Sequence, residues 1–261
     1  MIKELPTLLD DERLDEVNER ISLIQKKKGL TFGTDAFLLS AFVRPQPRAR
    51  AVDLGSGTGI IPLLLCAKDK VATATAVELQ TPFAELIGRN VSLNGFDGRI
   101  TVLNRDVREI NAATVGGEVE LVVSNPPYLT ANAGKTNRDA EKELARHEIC
   151  GTVFDFCAVA SRLLKTKGRF VCVYRSERLS DLLAAMRENR LEPKRMTFVH
   201  ADVTSPPCMV LTEAVKDASV SLKITPPLFL YEQNTKENGT RKLTRDAASV
   251  YEACSFPFDG K

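Results

Sequence analysis

The sequence predicts a doubly wound α/β domain with a seven-stranded, mostly parallel sheet, helices on both faces and an antiparallel C-terminal hairpin. From Ala51 onward, short apolar runs typical of buried strands alternate with helical segments. A glycine-rich turn, 55–59, follows the first of these strands. The last two strands are separated only by 201–207, which is too short for a helical crossover and therefore predicts an antiparallel pair.

The elements of the main domain, 48–232, follow one another in regular order. Strands are predicted at 51–54, 71–79, 100–104, 119–123, 169–174, 195–199 and 208–215. Helices are predicted at 60–67, 83–93, 154–164 and 179–186. The polar segment 130–148 has the composition of a mobile lid beside a site. An edge strand within 222–231 and a polar C-terminal tail, 233–261, are expected to complete the chain.

Residues 1–47 are predicted to form an N-terminal extension that packs on the core. The first twenty residues are polar and acid-rich, which is typical of a solvated arm or a short surface helix. A strand at 21–25 and a basic turn, Lys26-Lys27-Lys28, come next. A helix at 36–43 is apolar on nearly all sides and therefore buried, and Thr34 or Asp35 is its expected N-cap.

Composition and charge are those of an ordinary globular protein. The 261 residues are 43% hydrophobic, which allows a substantial core. The 36 basic and 34 acidic residues leave a net charge of +2, which neither favours nor excludes a polyanionic partner. The longest apolar run, 60–67, is far shorter than the ~20 residues of a membrane helix, and the N-terminus lacks a signal-peptide core. We therefore expect a cytoplasmic protein that contacts no membrane.

The cysteines and histidines predict no metal site. The six cysteines are scattered without a Cys-x-x-Cys pair, as expected of reduced and mostly buried thiols. The spacings of His147, Cys150, Cys157 and His200 match no zinc-binding pattern.

The glycine-rich turn is predicted to bind a ligand that contains adenosine. Gly55, Gly57 and Gly59 let the backbone approach a ligand closely, and the next helix offers free N–H groups and a partial positive charge. Glu78 ends the second parallel strand about 20 residues later, where an acid accepts hydrogen bonds from two ribose hydroxyls. A nicotinamide dinucleotide and S-adenosylmethionine both fit these features.

Two further acids favour S-adenosylmethionine. Asp53 precedes the first glycine, where its charge would repel a pyrophosphate but suit the ammonium group of a methionine moiety. Asp106 follows the third strand and is expected to accept a hydrogen bond from the adenine amino group. The predicted hairpin and the absence of a catalytic His or Lys motif near the site disfavour a dehydrogenase.

A stiff loop, Asn125-Pro126-Pro127-Tyr128, closes the fourth parallel strand and is predicted to hold the substrate. The two prolines remove two backbone donors and fix φ near about −65°, so Asn125 is pushed into an extended conformation. Carbonyl oxygens are left without neighbouring N–H groups. Such a loop at the C-terminal end of a buried strand lies where an open α/β sheet binds its ligands.

These motifs resemble those of class I S-adenosylmethionine-dependent methyltransferases that methylate an exocyclic or planar amide nitrogen. The resemblance rests on 53–59, Glu78, Asp106 and 125–128, and it covers nearly the whole chain. It implies a Rossmann-like fold with S-adenosylmethionine as cofactor, S-adenosylhomocysteine as product and no metal. A non-catalytic S-adenosylmethionine-binding or RNA-binding module is an alternative, which an intact Asn125 and Tyr128 disfavour.

A narrower resemblance is to the bacterial tRNA (adenine-N6)-methyltransferases that modify an anticodon-loop adenine of valine tRNA. It rests on 33–39, 146–148 and 226–228. It implies that Thr34 and Asp35 cover the methionine end of the cofactor and that basic side chains bind tRNA phosphates, although solubilising charge is an equal explanation for them. The candidate phosphate contacts are Lys26, Lys27, Lys28, Arg138, Lys142, Arg146, Arg241, Lys242 and Arg245.

The resemblance also implies catalytic roles for the stiff loop. An adenine amino group is a poor nucleophile because its lone pair is delocalised into the ring. The Asn125 side-chain oxygen and the Pro126 carbonyl can each accept one N–H and so aim that lone pair at the methyl group. Pro127 keeps the loop rigid, and Tyr128 is expected to stack on the target base, worth ~1–3 kcal/mol. The target base must then be unpaired or flipped out.

Other substrates are compatible with the same loop. A glutamine N5-methyltransferase acting on a release factor also holds a planar amide with an Asn-Pro-Pro-Tyr motif. That family carries a sizeable N-terminal helical domain, whereas only about fifty residues precede the glycine turn here. DNA adenine and ribosomal RNA guanine-N2 methylation are further alternatives.

Overall fold

One mixed β-sheet lies at the centre of the protein, in a computed structural model that describes residues 6–28, 33–127, 151–237 and 240–256. The strands are β1 Glu12–Asn18, β2 Ile21–Lys26, β3 Arg50–Leu54, β4 Thr73–Glu78, β5 Ile100–Asn104, β6 Val119–Ser124, β7 Leu164–Arg175, β8 Leu191–His200, β9 Pro207–Lys216, β10 Lys223–Ile224, β11 Leu228–Phe229, β12 Tyr231–Glu237 and β13 Thr240–Leu243. The helices are α1 Thr34–Phe42, α2 Ile60–Ala67, α3 Thr81–Leu93, α4 Val153–Leu163, α5 Leu179–Glu188 and α6 Arg245–Ala253.

The strand order of the central sheet is β10-β8-β9-β7-β6-β3-β4-β5, and β11 also pairs with β8. Strands β3 to β7 are parallel to one another, whereas β9 is antiparallel to both β7 and β8. This arrangement confirms the predicted parallel sheet with its antiparallel C-terminal hairpin. The structure adds the two-residue strands β10 and β11 beside β8.

Helices cover both faces of the sheet because the central strands are apolar on both sides. In β6, Leu121 and Val123 pack into the cluster formed with α1, α2 and α6, whereas Val122 packs into the cluster formed with α4 and α5. Successive strand residues point to opposite faces, so a continuous apolar run supplies both cores. The two-sided burial is what the alternating strand and helix pattern predicted.

The expectation of a solvated arm or a short surface helix near the N-terminus is wrong, because β1 and β2 form an antiparallel hairpin. The Glu12 side chain is buried and accepts hydrogen bonds from the Leu9 backbone N–H, at 2.9 Å, and from Arg89 Nη1, at 2.8 Å. The hairpin is therefore joined to α3 by the hydrogen bond between Glu12 and Arg89. The sequence pattern had indicated that Glu12 is exposed to solvent.

Helix α1 lies where the sequence predicted a buried helix, but its N-cap is Gly33 rather than Thr34 or Asp35. At its other end, Lys70 Nζ donates to the carbonyl oxygens of Ser40, Ala41 and Val43 at 2.8, 2.9 and 2.7 Å. A buried ammonium thus satisfies three carbonyls at the end of the helix.

The C-terminal region contains α6, for which the sequence analysis predicted no helix. Ala247 and Val250 are fully buried against the core, and the Tyr251 ring stacks on Phe37 of α1 with centroids 4.8 Å apart. The segment predicted to be a lid, 130–148, lies outside the described residues. No helix in the described ranges has the length and apolar character needed to cross a membrane.

Candidate active site

The predicted site residues converge at the C-terminal edge of the parallel strands. Leu54 at the end of β3 is in register with Ser124 at the end of β6 and with Val77 near the end of β4. Glu78 is in register with Asn104, which ends β5. The glycine turn, Glu78, Asp106 and Asn125 therefore leave the sheet side by side, at the edge where open α/β sheets bind ligands.

The glycines between β3 and α2 adopt backbone conformations that other residues rarely adopt. Gly55, Gly57 and Gly59 have φ angles of 75°, 56° and 80°. A Cβ atom on Gly59 would lie 2.9 Å from Ile87 Cγ2, so the turn also packs too closely on α3 for a side chain there. Among the described residues no side chain caps the start of α2, which follows the glycine turn directly, and the first N–H groups of a helix have no partner within it.

Glu78 is buried and bound to the backbone on both oxygens. Oε2 accepts the Gly57 N–H at 2.9 Å, and Oε1 accepts the Gln80 N–H at 2.9 Å. Burial raises the pKa of this carboxyl, and the backbone hydrogen bonds oppose that rise. The acid expected to bind ribose therefore also shapes the turn.

Asp53 lies beneath the glycine turn and is only 1% exposed. Its Oδ2 accepts the Ser56 hydroxyl at 2.6 Å, whereas Oδ1 makes no hydrogen bond to any described residue. Burial raises its pKa to about 7, and the nearby Glu78 charge adds to the rise. Two buried acids with raised pKa values and one unsatisfied oxygen fit a ligand that carries positive charge at this point.

Asp106 lies at the expected edge but already has a partner. Its carboxylate accepts the Arg108 backbone N–H at 2.9 Å and the Arg108 Nε at 3.0 Å, which lowers its pKa. It also caps a short 3₁₀ turn at Val107–Glu109. The structure therefore gives this acid a local role that the sequence analysis did not anticipate.

The stiff loop begins directly beside the glycine turn. Ser124 Oγ donates to the Leu54 carbonyl at 2.8 Å, which joins the ends of the two strands. Asn125 is half-buried, and its Nδ2 donates to Asp35 Oδ2 at 2.9 Å. Pro126 is buried and Pro127 is exposed, whereas Tyr128 lies outside the described residues. Asp35 and Asn125 are thus brought together although they lie 90 residues apart in the sequence.

Asn90 is a site residue that the sequence analysis missed. It is fully buried in α3, where Nδ2 donates to the Thr58 and Ile24 carbonyls, both at 3.0 Å, and Oδ1 accepts the Ile24 N–H at 2.7 Å. It links the glycine turn to the N-terminal hairpin. A polar residue within an amphipathic helix gives no sequence signal of such contacts.

Four of the basic side chains proposed to bind phosphates already contact acids or a backbone carbonyl in the structure. Lys26 Nζ lies 3.0 Å from Asp11 and 3.5 Å from Glu12, and Lys27 Nζ donates to the Asp10 carbonyl at 2.9 Å. In β13, Arg241 pairs with Asp202, and Lys242 pairs with Glu232 at 3.3 Å. The candidates outside the described residues are Arg138, Lys142 and Arg146.

Comparisons with known proteins agree with this geometry. Residues 26–189 match the family described as methyltransferase small domain. A tRNA1(Val) (adenine(37)-N6)-methyltransferase from Porphyromonas gingivalis is 28% identical over 201 residues, covering 75% of this chain and 78% of that protein. A protein of the same name from Parabacteroides distasonis is 28% identical over 195 residues, covering 75% and 81%.

Solved structures share the fold. A predicted O-methyltransferase from Agrobacterium tumefaciens has a TM-score of 0.67 at 22% identity, covering 85% of this chain and 98% of that one. M. jannaschii TYW2 in complex with AdoMet has a TM-score of 0.53 at 12% identity, covering 81% and 88%. With its strand order, its glycine turn and a family match over more than half of its length, this chain belongs to the methyltransferase small domain family.

Proposed function

We propose that this protein transfers a methyl group from S-adenosylmethionine to the exocyclic N6 amino group of an adenine in the anticodon loop of a tRNA. The observation that carries the proposal is the placement of the stiff loop beside the glycine turn, through the register of Leu54 with Ser124. A loop that accepts N–H hydrogen bonds is thereby adjacent to a turn shaped for a cofactor. The names of the relatives from P. gingivalis and P. distasonis support adenine N6 of tRNA as the target.

The cofactor supplies a methyl group already activated on a sulfonium centre, so the protein has to bind and align rather than generate an electrophile. The N–H groups at the start of α2 suit a carboxylate, and the unsatisfied Asp53 oxygen suits the ammonium group of the methionine moiety. Glu78 holds the ribose hydroxyls at the end of β4. Asp106 holds the adenine amino group with the lone pairs that Arg108 leaves available.

The stiff loop acts on the substrate nitrogen. Asn125 Oδ1 and the Pro126 carbonyl each accept one N–H of the adenine amino group. Two such acceptors draw the nitrogen out of conjugation with the ring, so its lone pair faces the methyl group. Rigid placement matters because a shift of about 1 Å can cost ~100-fold in rate. Tyr128 stacks on the base and keeps it in the plane that these acceptors need.

The basic residues of the tail supply phosphate contacts. The pairs Arg241 with Asp202 and Lys242 with Glu232 are partly exposed, with side-chain exposures of 44% and 47% for the two basic residues. Exposed ion pairs are worth only about 0–1 kcal/mol, so an RNA phosphate can replace either acid at small cost. Lys26, Lys27 and Lys28 extend the contact surface, as do Arg138, Lys142 and Arg146.

A substrate panel tests the proposal. The protein is incubated with methyl-labelled S-adenosylmethionine and, separately, with bulk tRNA, ribosomal RNA, DNA and a release factor. Nucleoside and amino-acid digests of each sample are then separated. We expect label in N6-methyladenosine from tRNA alone. Label found only in the release factor would replace the proposal with glutamine N5 methylation.

A further inference from the structure

We propose that Asp35 is a positioning residue that fixes the orientation of the Asn125 side-chain amide. This inference rests on the proposed function, in which Asn125 holds the substrate nitrogen. The observation is the hydrogen bond from Asn125 Nδ2 to Asp35 Oδ2, at 2.9 Å. It joins the stiff loop after β6 to the first turn of α1.

The orientation follows from the chemistry of the two groups. A carboxylate accepts hydrogen bonds and donates none, whereas an amide has a donating nitrogen and an accepting oxygen. The Asn125 amide must turn its nitrogen toward Asp35, because the reverse orientation would place two oxygens against each other. Its carbonyl oxygen then lies on the other branch of the planar group, which is the atom that accepts a substrate N–H in the proposed function. The nearby negative charge also polarises the amide and strengthens that oxygen as an acceptor.

Asp35 is itself held in place by the start of α1. Its Oδ1 accepts the Ala36 N–H at 3.0 Å, which leaves Oδ2 directed at Asn125. A Cβ atom on Gly33 would lie 2.8 Å from Asp35 Oδ1, so the glycine makes room for the carboxylate. The glycine in Gly33-Thr34-Asp35 is therefore explained by the space that the Asp35 carboxylate needs, and not by side-chain capping of α1.

The C-terminal helix secures this arrangement. The side chain of Tyr251 in α6 lies within reach of Thr34, and its ring stacks on Phe37 with centroids 4.8 Å apart. Phe256, after α6, packs edge-on against Phe42 with centroids 5.4 Å apart. The beginning and the end of α1 therefore both contact the C-terminal region, which holds Asp35 relative to the sheet.

The positioning role makes a different prediction from a direct contact with the cofactor. A residue that only orients Asn125 affects the reacting nitrogen, so its loss lowers kcat and leaves cofactor affinity unchanged. A residue that covers the methionine end of the cofactor would lower cofactor affinity instead. Kinetics at saturating substrates distinguish the two.

The kinetic experiment compares Asp35→Ala, Asp35→Asn and Asp246→Ala, with tRNA as substrate. Asp246 is the matched control because it lies in the first turn of α6, as Asp35 does in α1. We expect Asp35→Ala to lower kcat by about 10- to 100-fold, as the loss of a group that orients a metal ligand does in metalloenzymes, with the cofactor Kd and tRNA KM within about twofold. Asp35→Asn should be intermediate, because its amide can pair with Asn125 in either orientation. A normal kcat at saturation in Asp35→Ala, whether or not the cofactor affinity is lowered, would overturn the inference.

A spectroscopic experiment tests the placement without any substrate. The side-chain NH₂ signals of Asn125 in a ¹⁵N-labelled sample are assigned by their loss in Asn125→Ala. We expect Asp35→Ala to shift these signals and Asp246→Ala to leave them in place. Unshifted signals in Asp35→Ala would refute the positioning role. If wild-type protein methylates no tRNA adenine, the proposed function fails separately, since this readout does not depend on it.

Discussion

Glu78 accepts the backbone N–H of Gly57 at 2.9 Å, so the end of β4 is bonded directly to the glycine turn that follows β3. The same carboxylate accepts the Gln80 N–H on its other oxygen. Gly55 and Ser56 add backbone bonds to the Val77 carbonyl, at 2.9 and 3.0 Å. The glycine turn and the end of β4, which both belong to the proposed cofactor site, are thus joined by hydrogen bonds.

Replacing Glu78 should weaken cofactor binding. We expect Glu78→Ala to lower the affinity for S-adenosylmethionine by about 10- to 100-fold, because hydrogen bonds to a charged group are worth ~1.5–3 kcal/mol. Isothermal titration calorimetry measures the change, and Glu85→Ala, an exposed acid on α3, serves as the control. Equal affinities of the Glu78 variant and the wild type would contradict the assignment to ribose.

Asp53 should make the cofactor-free protein less stable as pH rises. Its pKa is about 7 in the folded protein and near the ordinary 3.8 when unfolded, so folding retains a proton that the unfolded chain releases. The contribution of Asp53 to the free energy of unfolding therefore decreases between about pH 4 and pH 7, by at most ~4 kcal/mol. Asp53→Asn should remove that loss. Urea unfolding at several pH values tests this, and identical pH profiles for the two proteins would count against it.

Cofactor binding should show the opposite dependence on pH. A cation beside Asp53 favours the ionised carboxyl, so the affinity of the wild type for S-adenosylmethionine should rise between about pH 5.5 and pH 7.5. In Asp53→Asn the affinity should be lower at pH 7.5 and nearly flat over this range. A variant that keeps the wild-type slope would show that another group responds to pH.

Replacing Asn90 should lower the stability of the protein, because this side chain joins the glycine turn to the N-terminal hairpin. Asn90→Leu removes three buried hydrogen bonds and leaves the Thr58 and Ile24 carbonyls unsatisfied, so we expect a loss of about 2–4 kcal/mol in the free energy of unfolding. Asn94→Ala should cost less, because that side chain is partly exposed and water can replace its bonds to Ser22. A loss no larger than that of the Asn94 variant would contradict the central role of Asn90.

Two glycines should respond in opposite ways to alanine. Gly59→Ala forces a side chain into φ +80° and against Ile87, so we expect a loss of about 1–3 kcal/mol and weaker cofactor binding. Gly88→Ala meets no atom within 4 Å in the middle of α3, so we expect a gain of up to about 1 kcal/mol. Thermal unfolding of both variants measures the difference, and equal shifts in Tm would refute it.

The parallel sheet could be predicted because its strands are short apolar runs with glycine or acid at their ends. The same reasoning failed for β1, because most of its residues are charged or polar and only Glu12 among them is buried. Its position depends on pairing with β2 and on Arg89, which is distant in sequence. Helix α6 escaped prediction for a similar reason, because only Ala247 and Val250 within it are buried.

In the candidate site too, residues at strand ends could be predicted, whereas contacts between distant elements could not. The placement of Asp53, Glu78 and Asn125 could be predicted because each lies at or next to the end of a strand, and the ends of parallel strands meet at one edge. The contact between Asp35 and Asn125 could not, since it depends on how α1 lies over that edge. Asn90 and the Arg108 partner of Asp106 are also tertiary or local contacts without a sequence signal.

The role of Asn125 in methyl transfer is measured by the amount of N6-methyladenosine that Asn125→Ala forms in tRNA under single-turnover conditions at saturating S-adenosylmethionine. Nucleosides from digested tRNA are quantified by mass spectrometry, with the wild type in parallel and cofactor affinity measured on the same samples. We expect N6-methyladenosine from the wild type and essentially none from the variant, with cofactor affinity nearly unchanged. Wild-type levels of N6-methyladenosine from the variant, or none from the wild type, would contradict the account.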